Sequence, residues 1–336
     1  MELELKKGAN AIRRLLLPPI PISISRNFRS IDDSTLERFG AFIKEKYFMD
    51  ILNGVHGTQC YLNSQEGRRG LEDHIFGRLV NYRKTIIPWL SSIIRLDDLD
   101  VLEIGCGTGS LSVALAEQGA RVCCLDIDAA SIEVAIERFR IYELDAEFIV
   151  GNAARRKDVV SKGNGYGLVI LSACLEHMTY EERLETIKNA WDLINSNALL
   201  GIFDTPNRLW YLDSHTTLLP FFNWLPDEIA LQYIKNSPRY SIRNQLFSMV
   251  DDANTNLIRC GRGVSYHEIE LAIGNYENMS VISYLQQYLK TRSIYHLFHW
   301  LTSYGPFYSA FLKKVGPNIS NAFFQPTLYL LLEKNA

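Results

Sequence analysis

The sequence predicts a doubly wound α/β fold built on a mostly parallel, seven-stranded sheet. Three observations carry that expectation. An apolar strand runs into a glycine turn and a helix, strand and helix patterns then alternate up to residue 203, and a clean strand closes the chain at 327–332. The run Leu99 to Ile104 is apolar except for Asp100 and Glu103, as a buried parallel strand should be. It ends in glycines at alternate positions, Gly105, Gly107 and Gly109. A helix, Ser110 to Gln118, follows and stops at Gly119. Glycines there permit a tight turn and let a ligand lie against bare backbone at a helix N-terminus. The second strand, Arg121 to Leu125, leads into Asp126, 21 residues after Gly105. An acid at that strand tip is where this architecture grips ribose hydroxyls.

The remaining elements follow in order. Strands are expected at 146–150, 167–172 and 198–203, with helices at 129–142 and 180–195 between them, the first N-capped by Asp128. Crossovers between parallel strands should be right-handed. His267 to Ile273 reads as a helix, and Ser280 to Leu285 and Thr327 to Leu332 as the last strands. Residues 1–95 carry no strand pattern; Glu72 to Ile94 has apolar residues at helical spacing. The expected organisation is an N-terminal helical lid at 1–95, a core at 96–207, 264–286 and 323–336, and substrate-binding cap inserts at 208–263 and 287–322, both rich in aromatics.

Composition narrows the function. Of 336 residues, 47% are hydrophobic and 22% charged, which fits a globular protein. A formal net charge of -3 gives no electrostatic footprint for nucleic acid. The six cysteines show no metal-ligand spacing, so no metal is expected, and they read as reduced thiols of a cytoplasmic protein. No apolar run reaches membrane-spanning length, and no signal segment is expected. Oligomeric state is left open.

Glycine spacing separates two cofactor classes. Nicotinamide and flavin sites want G-x-G-x-x-G with the helix end facing a pyrophosphate. Here Ser110 stands where the third glycine should be, and Glu103 puts a carboxylate near the ligand. That suits a cationic or amino-bearing ligand better. The pattern resembles motif I of the class I S-adenosylmethionine-dependent methyltransferases, well over 98–207 and tolerably over 264–286 and 325–334. The resemblance implies S-adenosyl-L-methionine as cofactor, with Glu103 facing its methionine end and Asp126 its ribose. It implies a cofactor site of Glu103, Gly105, Cys106, Gly107, Gly109, Asp126, Ile127, Asn152, Ala153 and Ser172. In the family, Gly-Asp-Ala often follows strand three. Here it is Gly151-Asn152-Ala153, where Asn152 either accepts from the adenine amino group or only makes a turn.

Other motifs concern the acceptor. Leu175-Glu176-His177 is similar to the small-molecule branch, the ubiquinone-biosynthesis type among them. The Pro-Pro-aromatic and Pro-Cys motifs of base-modifying relatives are missing, which argues against nucleic acid. Thr205-Pro206-Asn207-Arg208, Asp213-Ser214-His215-Thr216 and Trp224-Leu225-Pro226 resemble a loop signature of bacterial sugar, polysaccharide and natural-product methyltransferases. His215 and His177 are the candidate bases, with Asp213 able to hold an imidazole in one tautomer. The competing reading has His215 bonded only to backbone and His177 capping a loop. Aromatics of the inserts, such as Trp210, Tyr211, Phe222 and Trp224, are expected to close an apolar pocket, and Tyr61, Arg68 and Arg69 to reach the cofactor. The expected activity is methyl transfer to oxygen or nitrogen of a small specialised metabolite in natural product biosynthesis. The alternatives are a sugar or glycan intermediate as acceptor, a nicotinamide-dependent oxidoreductase, or a non-catalytic binding protein.

Overall fold

The computed structural model describes residues 28–48, 62–159, 165–239, 242–243, 252–274, 279–292 and 305–335. Seven strands form one sheet: β1 (Asp100–Ile104), β2 (Arg121–Asp126), β3 (Glu147–Val150), β4 (Tyr166–Ser172), β5 (Ile194–Pro206), β6 (Met279–Tyr284) and β7 (Thr327–Lys334). Their order is β3-β2-β1-β4-β5-β7-β6. The first five are parallel, and β7 runs antiparallel to both β5 and β6. Each strand lies within a few residues of its expected place. The largest departure is β5, which extends beyond 198–203 at both ends: Ile194 pairs with Tyr166 of β4 at the start, and Thr205 and Pro206 pair with β7 at the finish.

Chain order reverses between β1 and β4, and ligands bind at the carboxyl edge of such a switch point. Register sets what meets there. Ile104 pairs with Leu125 on one side and Leu171 on the other, and Ser172 pairs with Phe203. The chain therefore leaves β1, β2, β4 and β5 at one level, which brings residues 105, 126, 173 and 204 to one edge.

Helices cover both faces. On one face lie the helical run 65–91 (α2), α3 (Ser110–Ala116), α4 (Ala129–Ile141) and α9 (Leu285–Arg292), whose Leu79, Ile86, Trp89, Leu111, Phe139 and Leu289 join one buried core. On the other lie α5 (Tyr180–Leu193), α8 (Tyr266–Ile273) and α10 (Gly305–Val315). α1 (Asp33–Ile43) packs Phe39 and Ile43 against Val134 of α4. A small separate cluster of Leu219, Phe222, Ala230, Ile234 and Leu257 holds α6 (Asp227–Tyr233) and α7 (Ala253–Cys260) above the sheet edge.

Local chemistry explains the helix starts. Asp128 caps α4 by accepting from Ser131 N at 2.8 Å, and Thr179 and Glu182 form a reciprocal capping box at α5. α2 contains two π-turns, at 73–77 and 82–86. The carbonyls at the first of them turn towards the fully buried Arg138 of α4. Its guanidinium donates to Thr108 O at 2.6 Å, to Ile75 O at 3.0 Å and to His74 O, and it stacks over Phe39 at 4.7 Å. One side chain thus ties α2 and α4 to the glycine turn. Removing it would leave three carbonyls without their charged donor. We expect Arg138→Met to lower the unfolding free energy by about 3 kcal/mol or more, read from the urea midpoint at unchanged slope.

Candidate active site

The glycine turn is built as its sequence requires. Gly105 has φ +76, and a Cβ there would stand 2.5 Å from Cys174 Cβ and 2.9 Å from Ser172 O, so only glycine lets β1 turn so close to the end of β4. Gly107, at φ +50, is different: a Cβ would meet nothing within 4 Å and would enter open space beside the turn. That open space is part of a cavity of about 560 Å³ at the carboxyl edge of the sheet, a size ordinary for a small-molecule site.

One end of the cavity holds most of the expected cofactor residues. Glu103, Gly105, Cys106, Gly107, Asp126, Ile127, Asn152, Ala153 and Ser172 all line it. Gly109 does not. Its φ of +75 starts α3, and a Cβ there would come within 3.0 Å of Ala135 Cβ, so it serves close helix packing instead of a ligand. Asp126 accepts from Gly107 N at 2.8 Å and Asp128 N at 3.0 Å, which orders the turn while its carboxylate faces the cavity. Burial raises its pKa. Glu103 is fully buried and accepts from Ser112 Oγ; burial pushes its carboxyl up to about 8. Both acids sit where a cationic ligand would relieve their desolvation. Asn152 Oδ1 accepts from Ala154 N at 2.9 Å, so the turn role is present alongside its place on the cavity wall.

The other end gathers Glu176 and His177 from the loop after β4, His215 and Arg259 from the cap, and Asp204 from the end of β5. Ala173 and Asp204 both have positive φ, +47 and +52, at adjacent strand ends. Backbone held this way in non-glycine residues is characteristic of functional sites. His177 Nδ1 lies 2.8 Å from Arg259 O, and Arg259 returns a bond to His177 O at 3.0 Å, so α7 grips the loop in both directions. His215 Nδ1 lies 3.1 Å from Thr216 Oγ1. The two imidazole centroids are 5.7 Å apart, and both Nε2 atoms face Glu176 Oε1, at 3.8 and 3.7 Å. Burial lowers the pKa of His177 to about 4, lowers that of His215, and raises Glu176 to about 8.

Several sequence expectations need correcting. Asp213 does not orient an imidazole. It is buried and outside the cavity, and its carboxylate accepts from His215 N, Thr216 N, Thr217 N and Thr217 Oγ1, at 2.7 to 3.2 Å. It shapes the loop that presents His215. Asn207 is likewise structural, donating to Phe323 O and Gln325 O at 2.7 Å. Among the described residues, the insert aromatics do not wall the cavity. Trp210 and Tyr211 pack on Tyr308, while Phe221 and Trp224 face outward. From the N-terminal stretch the cavity receives Tyr47, Arg78 and Tyr82. Arg68 is engaged by Asn63 O of its own segment, and Tyr61 lies outside the described residues, as do Tyr240 and 293–304. Glu176 and Asp204 are cavity acids that sequence reasoning did not single out. The signal for Glu176 was its place in the Leu-Glu-His triplet.

The two turn glycines make different demands. Gly105→Ala should cost about 2 kcal/mol more stability than Gly107→Ala, because the first meets packed atoms and the second only the left-handed backbone penalty of about 1–2 kcal/mol. Paired chemical denaturation curves would measure the difference.

Comparisons with known proteins bear on this site. Residues 101–197 match a family model described as a methyltransferase domain. The cypemycin N-terminal methyltransferase of a Streptomyces species is 42% identical over 67 residues, 20% of this chain and 26% of the relative. A ubiquinone biosynthesis O-methyltransferase of Coxiella burnetii is 30% identical over 148 residues, 42% of this chain and 58% of the relative. The chain thus spans less than two thirds of the length of these curated relatives. Among solved structures, the magnesium protoporphyrin IX methyltransferase of Synechocystis PCC 6803 with bound S-adenosylhomocysteine aligns at 21% identity and a TM-score of 0.37, over 49% of this chain and 72% of that one. The family match covers β1 to β4, their glycine turn and the first residues of β5, so the part of the chain that builds this site is similar to a methyltransferase domain.

Proposed function

We propose that this chain transfers a methyl group from S-adenosyl-L-methionine to an oxygen or nitrogen of a small molecule. The observation that carries the reading is a single cavity joining the glycine turn, with its open face at Gly107, to the cluster of Glu176, His177 and His215. The residues at the first end suit the cofactor. The bare turn offers main chain, Asp126 a hydroxyl-binding carboxylate, and the buried Glu103 a partner for an ammonium group. When bound, the cofactor supplies a methyl group on a sulfonium, a leaving group that needs no acid. The chain's work is then alignment, exclusion of water, and handling of the acceptor's proton. Tyr47, Arg78 and Tyr82, reaching in from α1's extension and α2, would close over the cofactor as part of the lid.

A second reading of the acceptor is favoured by one observation. Among the described residues, the acceptor end gathers carboxylates, imidazoles and the Arg259 side chain, and no aromatic residue of the inserts lines it. A hydroxyl-bearing acceptor such as a sugar or glycan intermediate fits that wall better than a purely apolar metabolite. Methyl transfer to panels of hydroxylated and apolar small molecules would separate the two, and efficient incorporation into RNA or DNA would overturn both.

Calorimetry with S-adenosylhomocysteine should show binding, and Asp126→Ala should weaken it by about tenfold or more, one lost charge-assisted contact being worth about 1.5–3 kcal/mol. Tighter binding of a nicotinamide dinucleotide would sink the cofactor assignment.

Glu103 gives that binding a pH signature. Its carboxyl, raised to about 8, is mostly protonated at pH 7, whereas a bound ammonium favours the ionised form. Binding should therefore release a proton, and affinity should rise as pH climbs from 7 through 8. Calorimetry in buffers of different ionisation enthalpy reads the proton directly, and Glu103→Gln should abolish both effects.

His215→Ala should lower turnover sharply with cofactor affinity nearly unchanged, because the residue stands at the acceptor end. Steady-state kinetics with both substrates varied would show the split.

A further inference from the structure

We propose that Glu176, His177 and His215 bind one divalent transition-metal cation, of the Zn²⁺ type, with a coordination position left open towards the acceptor. The proposal rests on the cavity being a methyl-transfer site and names what its acceptor end holds.

Three observations converge. First, a carboxylate oxygen of Glu176 and one ring nitrogen from each histidine lie within 4.8 Å of one another. Second, the Glu176 carboxylate has no exposed surface, and neither of its oxygens has a hydrogen-bond partner among the described residues. A buried polar group left so is costly and calls for an explanation. Third, the tautomers are fixed from outside the cluster. Arg259 O can only accept, so His177 Nδ1 carries the proton in the 2.8 Å bond between them. Thr216 Oγ1 spends its hydrogen on Gly261 O at 2.9 Å, so it accepts from His215 Nδ1–H. Both Nε2 atoms then carry lone pairs, and they stand 3.8 and 3.7 Å from Glu176 Oε1.

With Glu176 ionised, three acceptors face one another and repel unless a cation lies among them. A proton serves poorly, because it bridges two atoms and the separations of 3.7 and 3.8 Å are beyond hydrogen-bond reach. A metal with bonds of about 2.0–2.2 Å holds its ligands roughly 3.3–3.6 Å apart in a tetrahedral set. The three ligand atoms lie within 4.8 Å of one another, and inward rotation of the partly exposed histidines would complete such a set. Two imidazoles and one carboxylate suit Zn²⁺, Co²⁺ or Fe²⁺ and not Mg²⁺ or Ca²⁺, which take oxygen ligands. The carbonyl of Arg259 and the hydroxyl of Thr216 are the outer partners that orient metal-binding histidines. A hydroxyl at the open position would lose its proton to solvent water, the O–H electron pair staying on oxygen. The sequence expectation of no metal weighed cysteine spacing. These ligands come instead from two loops, His177 and His215 being 38 residues apart.

The test uses the full chain stripped of metal by a chelator. Titration with Co²⁺ should give visible ligand-field bands that saturate at one equivalent, and Zn²⁺ should displace them, with calorimetry reporting one Zn²⁺ site. Glu176→Gln and, separately, His215→Ala should each weaken Zn²⁺ binding at least tenfold. Their S-adenosylhomocysteine affinity should be retained, which certifies their folding. Wild-type chain that binds S-adenosylhomocysteine but shows no Co²⁺ bands, or Zn²⁺ binding unchanged in both variants, overturns the metal site and leaves the methyl-transfer reading standing. Zn²⁺ binding without any S-adenosylhomocysteine binding would sustain the site and remove the methyl-transfer reading.

Discussion

Arg183 carries a positive charge with no exposed surface, and most of what it meets is main chain. Its guanidinium donates to Met178 O, Glu176 O, Arg262 O and Gly263 O, at 2.9 to 3.3 Å, with the Glu268 carboxylate at 2.9 Å as counter-charge. Those carbonyls belong to two chain segments that share no secondary structure. One presents Glu176 and His177; the other joins the cap to the sheet. Arg262, equally buried, continues the grip outward to Phe222 O, Leu225 O and Asp227. A buried charge must be met by well-placed acceptors or it destabilises the fold, so the loop after β4 and the cap are held in one arrangement relative to each other. The acceptor end of the cavity exists because of that constraint.

The cavity itself gathers buried acids. Glu103, Asp126 and Glu176 each have the carboxyl pKa raised by desolvation, and all three face the same space. Such a site favours cations at both ends. A sulfonium and an ammonium answer the first end, and a metal ion the second. The same low dielectric that makes unpaired carboxylates costly would strengthen each contact once the cations arrive.

Much of this architecture was legible in the residues. Parallel strands buried on both faces leave near-continuous apolar runs, and the turn between β1 and α3 leaves a glycine at 105 where a Cβ has no room, so the first strand, its turn and the second strand could be read from 99–126. Asp128 showed its capping role by position alone. The acceptor end was less legible for a physical reason. Asp213 and His215 are two residues apart in sequence, and nearness suggested a catalytic pair, yet a short acid at that spacing satisfies backbone N–H groups first. Aromatic residues in the inserts signalled a pocket wall, but Trp210, Tyr211 and Tyr308 had a core of their own to fill. Glu176 looked like one more polar loop residue until the fold removed every partner from its carboxylate.

The main-chain character of the buried arginine contacts has an evolutionary consequence. A guanidinium that holds carbonyl oxygens is indifferent to the side chains of the residues it grips. Arg183 and Arg262 fix where the segments around 176–178, 222–225 and 262–263 run through their carbonyls, so that grip does not itself depend on which side chains stand at 176–178. The cap can therefore exchange the residues that face an acceptor without losing its seat on the sheet. Selection for a new acceptor would act on a scaffold whose geometry is set by backbone, and specificity could drift while the cofactor end stayed unchanged.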